Sequence, residues 1–214
     1  MKRVSLTFIF VLIGIFFLTG CVHDWNKDVI VNGIYFDKIR QSSSGTIIGD
    51  LASNTDIEGY PCKEGWVYFY EDYKLQNFTN YKEIEIDGVT IPEDTWVELT
   101  QDGTLDLCAF PENIIVQDHL VYGSGGSKGA HTTFYTDSEN KGKLKSFFSP
   151  EDAVIGGIPC NGGPFGKLFD IIKLHPDGSL KYCTLSKDTT INGERYNKGD
   201  IITLDENRRI INVD

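Results

Sequence analysis

The chain predicts an all-β protein, an antiparallel meander of repeated β-hairpins making an elongated or curled sheet, and three observations carry that expectation. A Gly-x-Leu/Ile turn recurs at Gly45-Thr46-Ile47, Gly103-Thr104-Leu105, Gly142-Lys143-Leu144 and Gly178-Ser179-Leu180, with degenerate copies at Tyr73-Lys74-Leu75 and Arg208-Arg209-Ile210. A second turn, Ile/Val-x-Gly, follows each complete copy at Ile57-Glu58-Gly59, Ile86-Asp87-Gly88, Val116-Gln117-Asp118, Ile155-Gly156-Gly157 and Ile191-Asn192-Gly193. The interval from first turn to second is 14 residues in the first copy and 15 in the next four, the register of an internal repeat. Third, runs rich in Val, Ile, Thr, Tyr and Phe are punctuated by Asp-Gly, Asn-Gly and Pro-Asp-Gly, which is hairpin chemistry, and no amphipathic helix pattern follows residue 21.

The N-terminus reads as an address. Lys2 and Arg3 precede an apolar run from Val4 to Leu18, too short to span a bilayer and closed by small residues, so residues 1–20 are set apart as a signal peptide. The closing Leu18-Thr19-Gly20-Cys21 resembles the lipobox of bacterial lipoprotein precursors. That resemblance implies diacylglyceryl transfer to Cys21, cleavage before it, and a mature chain tethered to a membrane in the cell envelope. Val22 rather than Asp follows Cys21, which by the family's sorting rule implies the outer membrane in a Gram-negative cell. Two or three acyl chains hold a folded domain at a bilayer almost irreversibly, since each buried methylene is worth about 0.8 kcal/mol.

Without Lys2 and Arg3 the 20 basic residues become 18 against 31 acids, a net charge of −13. That balance argues against nucleic acid and against electrostatic docking on anionic lipid. Residues 21–28 are expected to be a tether, with a first strand around Val29 to Phe36 and a repeat domain over 29–214. An insertion is expected near 122–140, where the interval between copies lengthens and Gly123-Ser124-Gly125-Gly126-Ser127-Lys128-Gly129 falls. Further along, Trp96-Val97-Glu98-Leu99, Ile171-Ile172-Lys173-Leu174 and Ile201-Ile202-Thr203-Leu204 form a matching strand column. Period-2 alternation is incomplete, notably in Trp66-Val67-Tyr68-Phe69-Tyr70, so a sheet covered on both faces, a curled sheet or two packed sheets fits better than one flat layer.

The Tyr70-Glu71-Asp72-Tyr73-Lys74-Leu75 and Gly142-Lys143-Leu144-Lys145-Ser146 runs, with their Gly-bearing turns, resemble MORN-type repeats of bacterial secreted proteins and lipoproteins. The resemblance covers about Gly45 to Asp214 and implies an extended β-hairpin array. It implies no activity and no functional residue. The unit here is longer than the usual MORN repeat and lacks a regular Tyr-x-Gly-x-Trp run.

Little chemistry stands out. Cys62, Cys108, Cys160 and Cys183 remain once Cys21 is set aside, in repeat columns where Cys62 matches Cys160 and Cys108 matches Cys183. Column mates lie at least two strands apart, roughly 10 Å, too far for a disulfide. Buried free thiols are expected, with a cross-column bridge such as Cys160 to Cys183 as the alternative. No C-x-x-C supports zinc, no histidine pair among His23, His119, His131 and His175 has ligand spacing, and the glycine-rich run lacks the helix that a phosphate loop needs. Ser124, His131 and Asp137 form a triad only on paper, without a nucleophile elbow. Paired acids such as Glu71-Asp72 and Asp205-Glu206 read as turn tips. The remaining signal is aromatic: Trp66, Tyr68 and Tyr70 share one strand face, where packing of the sheet is the favoured reading and a candidate partner surface that stacks on a sugar or a protein is the alternative. The expectation is a non-enzymatic envelope protein, without cofactor or metal, contacting a protein or glycan. An envelope hydrolase and an immunity-type repeat protein are the alternatives.

Overall fold

The computed structural model describes residues 24–126, 130–163 and 170–213. The chain is all-β: thirteen strands form one antiparallel sheet in strictly sequential order, and five separate two-stranded hairpins interrupt it. In chain order the sheet begins with β1 (Asn26–Val31), β2 (Ile34–Gln41) and β3 (Ile47–Leu51), then leaves for the hairpin β4 (Thr55–Ile57) and β5 (Tyr60–Cys62). It resumes as β6 (Gly65–Phe69) and β7 (Leu75–Thr79), and breaks for β8 (Ile84–Ile86) and β9 (Val89–Ile91). The same alternation continues through β10 (Trp96–Leu99), β11 (Leu105–Ala109), the pair β12 (Ile114–Val116) and β13 (His119–Val121), then β14 (Thr132–Phe134) and β15 (Leu144–Phe147). It ends with β16 (Ala153–Ile155) and β17 (Ile158–Cys160), β18 (Ile172–Leu174), β19 (Leu180–Thr184), β20 (Thr189–Ile191) and β21 (Glu194–Tyr196), β22 (Ile201–Leu204) and β23 (Ile210–Val213).

The two repeated turns are therefore different objects. The Gly-x-Leu turn joins neighbouring sheet strands. At Thr100–Thr104 the Gly103 N–H donates to Thr100 O at 2.9 Å and the Thr100 N–H to Thr104 O at 2.8 Å, a three-residue loop ending in the left-handed conformation. The degenerate copies keep that backbone without glycine, with φ of +66° at Tyr73 and +60° at Arg208. The Ile-x-Gly turn instead makes the tip of each small hairpin, with both central residues left-handed, as at Asn192 (φ +53°) and Gly193 (φ +88°), the signature of a type I′ turn.

The expected meander of repeated hairpins is borne out, with the second turn of each copy closing a small hairpin outside the main sheet. The hairpin arms are three residues long, and four of the five hairpins end in a break closed by a side chain ten residues away. Glu64 N–H donates to Asn54 Oδ1, Gly123 N–H to Asn113 Oδ1, Gly162 N–H to Asp152 Oδ1 and Lys198 N–H to Asp188 Oδ1, at 2.9 to 3.1 Å. Those bonds turn the chain back to the sheet. Three further boundaries move. Val29 to Phe36 is not one strand, because Asn32 and Gly33 both take positive φ and make a hairpin tip between β1 and β2. Strand β1 also starts at Asn26, inside the span expected as a tether. Likewise 122–140 is not one insertion: its Thr132–Phe134 is sheet strand β14, paired with β11 and β15, where two threonines and a phenylalanine suit the pleat.

One core runs the length of the array. Val67, Phe69, Val97, Leu99, Ile172 and Ile202 from the sheet and Ile57, Ile86, Ile91, Val116 and Ile155 from the hairpins belong to a single buried cluster, so the hairpins cover one sheet face. A β-bulge beside each sheet turn from Tyr73-Lys74-Leu75 onward reconciles this core with the broken alternation. Leu75, Leu105, Leu144 and Leu180 lie three residues before Phe78, Cys108, Phe147 and Cys183, yet all eight are buried. Register shifts at Tyr68/Phe69, Glu98/Leu99, Thr133/Phe134 and Lys173/Leu174 insert the extra residue that places both on the same face.

Two further bonds repeat along the array. The hairpin-tip side chain reaches the turn leucine: Leu75 N–H donates to Glu58 Oε2 at 3.2 Å, Leu105 N–H to Asp87 Oδ2 at 2.8 Å and Leu144 N–H to Gln117 Oε1 at 2.9 Å. At the opening residue of the sheet turns, Tyr70 Oη donates to Leu99 O (2.7 Å), Tyr135 Oη to Leu174 O (2.8 Å) and His175 Nε2 to Leu204 O (3.0 Å). Each ties one sheet hairpin to the next where the ladder runs out.

Candidate partner surface

The face of the sheet turned away from the hairpins is a continuous row. Register runs from Arg40 on β2 to Ile48, Tyr68, Asn77, Glu98 and Leu107 on the succeeding strands. Beside it Lys38 pairs with Asp50 and Asp50 with Trp66. These residues face outward because their strand neighbours, Ile39, Gly49, Val67 and Phe69, are buried in the core and successive side chains alternate.

Of the sequence-selected residues, Trp66 is 47% exposed and Tyr68 half-buried on this face. Tyr70 sits at the sheet turn with its hydroxyl committed to Leu99 O, and burial, then the nearby Glu98, raises its pKa. Its part is to tie two hairpins together. Cys21 lies outside the described residues.

Residues missed from sequence complete the cluster. Trp25 and Trp66 lean over the intervening strands until their ring centroids are 5.4 Å apart at 49°. The Lys38 ammonium lies 4.8 Å from the Trp66 ring and 5.4 Å from the Trp25 ring, and 3.4 Å from Asp50. The Arg40 guanidinium stacks 4.5 Å from the Trp25 ring. Such cation–π contacts are worth about 0.5–1 kcal/mol at exposed sites. The available signal was the alternation Lys38-x-Arg40 in an acidic chain. Trp25 was hidden by its assignment to the tether.

Two polar atoms stand out beneath this cluster. Asn77 Nδ2 and Arg40 Nε are buried donors without a hydrogen-bond partner, and Asn77 as a residue is only 4% exposed. An unpaired buried donor costs about 1–3 kcal/mol, so these positions carry a cost that the fold offsets elsewhere. They flank Tyr68 and Ile48 in the outer row, one on β2 and one on β7.

Elsewhere the chemistry is structural. Asp205 accepts the Asn207 and Arg209 amides, both at Oδ1, while Asp72 accepts Gln101 Nε2 at 3.1 Å and the Lys74 amide. His119 is half-buried with its ring 5.2 Å from that of Phe147, and burial lowers its pKa against a smaller opposing effect of Asp118. Asp137 accepts Asn140 Nδ2 within its own turn. Among the described residues, no group of three or more His, Cys, Asp or Glu side chains is placed to hold a metal ion. Cys62, Cys108, Cys160 and Cys183 are buried free thiols. Comparison with family models, curated proteins and solved structures gives no match to this chain.

Proposed function

We propose that this is a lipid-anchored protein of the cell envelope whose MORN-like array is a non-enzymatic scaffold, and that the outer face of β2, β3, β6 and β7 binds an envelope glycan. The observation that carries the reading is an exposed aromatic, Trp66, bordered on one face by Trp25, Lys38 and Asp50. A sugar ring presents an apolar face that stacks on an indole and hydroxyls that hydrogen-bond to such an ammonium and carboxylate. Glu98, next to Asn77 in the row, supplies an acceptor. The acids at the turns favour a scaffold over a hydrolase, since Asp72, Asp177, Asp188 and Asp205 are engaged with backbone amides.

The anchor fits this placement. Cys21 precedes the first residue of β1 by five positions, so an acylated Cys21 holds that edge within roughly 17 Å of the attachment point. Trp25 and its cluster then lie at the membrane-proximal end of the array.

The test is sedimentation of the purified protein with isolated peptidoglycan and calorimetric titration with soluble envelope polysaccharide. Saturable binding that Trp66→Ala weakens at least tenfold, with the variant still folded at the temperature of the titration, is the expected result. Absence of binding by the wild-type protein, or equal binding by the variant, overturns the glycan reading. Metabolic labelling with a fatty-acid probe that Cys21→Ser abolishes checks the anchor separately.

A further inference from the structure

Cys160 ends the second arm of the hairpin β16–β17, where it forms an isolated antiparallel bridge with Leu185 just beyond β19. Two backbone bonds hold this junction, Asn161 N–H to Thr184 O at 2.7 Å and Ser186 N–H to Pro159 O at 3.0 Å. Cys183 precedes Leu185 by two residues and so shares its face of the strand, turned toward the hairpin. Both cysteines are 0% exposed. Cys183 thus lies diagonally across the bridge from Cys160, whose thiol, together with burial, pushes the Cys183 pKa up. The Cys160 S–H donates to Ile158 O at 3.6 Å.

The repeat shows how selective this placement is. In the first copy Cys62 makes the same bridge, with Asn80, and its thiol likewise donates to the carbonyl two residues back, Tyr60 O, at 3.6 Å. The position equivalent to Cys183 is there Phe78. In the copy that carries Cys108 the hairpin position is Ile91. One copy alone has cysteine on both sides of the junction between hairpin and sheet.

We infer that Cys160 and Cys183 are a disulfide-forming pair that locks the hairpin β16–β17 onto the sheet when the chain meets a disulfide donor. One thiolate attacks a sulfur of the donor disulfide, giving a mixed disulfide and one donor thiol. The second thiolate then displaces the other donor thiol and closes the intrachain bond. Two electrons and two protons leave the pair, and the donor disulfide becomes two thiols. Burial disfavours the thiolates, so exchange proceeds through opening of the junction and depends on how often its two backbone bonds break. The bond fastens a hairpin to its own sheet and is independent of the outer face.

The test uses the purified full-length chain carrying Cys21→Ser, so that its four remaining cysteines are those of the repeat domain, reduced and then incubated folded with excess oxidised glutathione. After quenching and alkylation in denaturant, the expected product has lost two hydrogens, about 2 Da, carries a Cys160–Cys183 linked peptide, and has Cys62 and Cys108 alkylated. Its thermal midpoint is expected to rise by about 5–10 °C and to return on reduction. Cys62→Ser should still form the bond, and Cys183→Ser should show no intrachain closure. Four alkylatable thiols after incubation, a bond involving Cys62 or Cys108, or a bond between two chains overturns the inference.

Discussion

The clasp between hairpin tip and sheet turn gives the most direct test of how the array holds together, and Gln117 is the place to apply it. Its side chain makes both halves of the clasp: Oε1 accepts from Leu144 N–H at 2.9 Å and Nε2 donates to Gly142 O at 2.7 Å. Gln117 also sits at φ +47°, so replacement by glycine removes the clasp while keeping a backbone that glycine adopts readily. The part-buried Leu144 amide then loses its partner, at about 1–3 kcal/mol, and the Nε2 bond contributes about 0.5–1.5 kcal/mol more. Relief of the left-handed conformation returns about 1 kcal/mol. Gln117→Gly is therefore expected to destabilise by roughly 1–3 kcal/mol, and Gln117→Ala by about 1 kcal/mol more. Urea unfolding reads the total, and hydrogen exchange reads the place: Leu144 should lose protection while Leu75 and Leu105, clasped by Glu58 and Asp87, keep theirs. A loss below about 0.5 kcal/mol, or an unchanged Leu144 exchange rate, refutes the idea that side chains at the tips hold the two layers together.

Three other outcomes follow from the same structure. Phe78, fully buried, should cost about 3–5 kcal/mol when truncated to alanine, whereas Trp66→Ala on the opposite face should cost under about 1.5 kcal/mol; chemical denaturation of both variants checks the assignment of faces. Gly49→Ala would place a Cβ 2.6 Å from the Phe36 ring, and the overpacking should lower stability by about 1–3 kcal/mol, readable as a lower thermal midpoint. Acid should destabilise the fold in two stages. Asp72, Asp102, Asp177 and Asp188 are held below the ordinary carboxylate value, chiefly by Gln101, Thr100, Ser179 and the Lys198 amide respectively. The unfolded chain thus takes up protons first, and their contribution is whole above about pH 4 and is lost as pH falls through the folded values. His119, lowered by burial, adds an earlier loss beginning near pH ~6.5, which His119→Gln should remove from a scan of thermal midpoint against pH.

Much of this was legible in the residues and some was not, for identifiable reasons. From Gly45 onward the repeated columns located the bends between strands, Tyr73 and Arg208 included, which take positive φ without being glycine, while the Asn32-Gly33 tip was missed. That succeeded because a left-handed turn residue is a local requirement, visible wherever the spacing repeats. The outer cluster was half found: Trp66 and Tyr68 were visible as an alternating pair, but Trp25 approaches Trp66 across two intervening strands, a contact that no spacing in the chain encodes. The donors of Asn77 and Arg40 were invisible for the same reason, since lacking a partner is a property of the surroundings and not of the residue.

By itself the sequence determined the all-β class, the repeat, the positions of the repeated turns from Gly45 onward and the identity of the apolar columns, because turn chemistry and side-chain hydrophobicity act within a few residues. Only the tertiary structure decided which turns stay in the sheet and which leave it. A three-residue arm such as Thr55–Ile57 has the same propensity whether its partner is a sheet strand or its own hairpin mate. The bulges, the side-chain closures ten residues apart and the shared core settle that choice, and they arise only when distant copies are brought together.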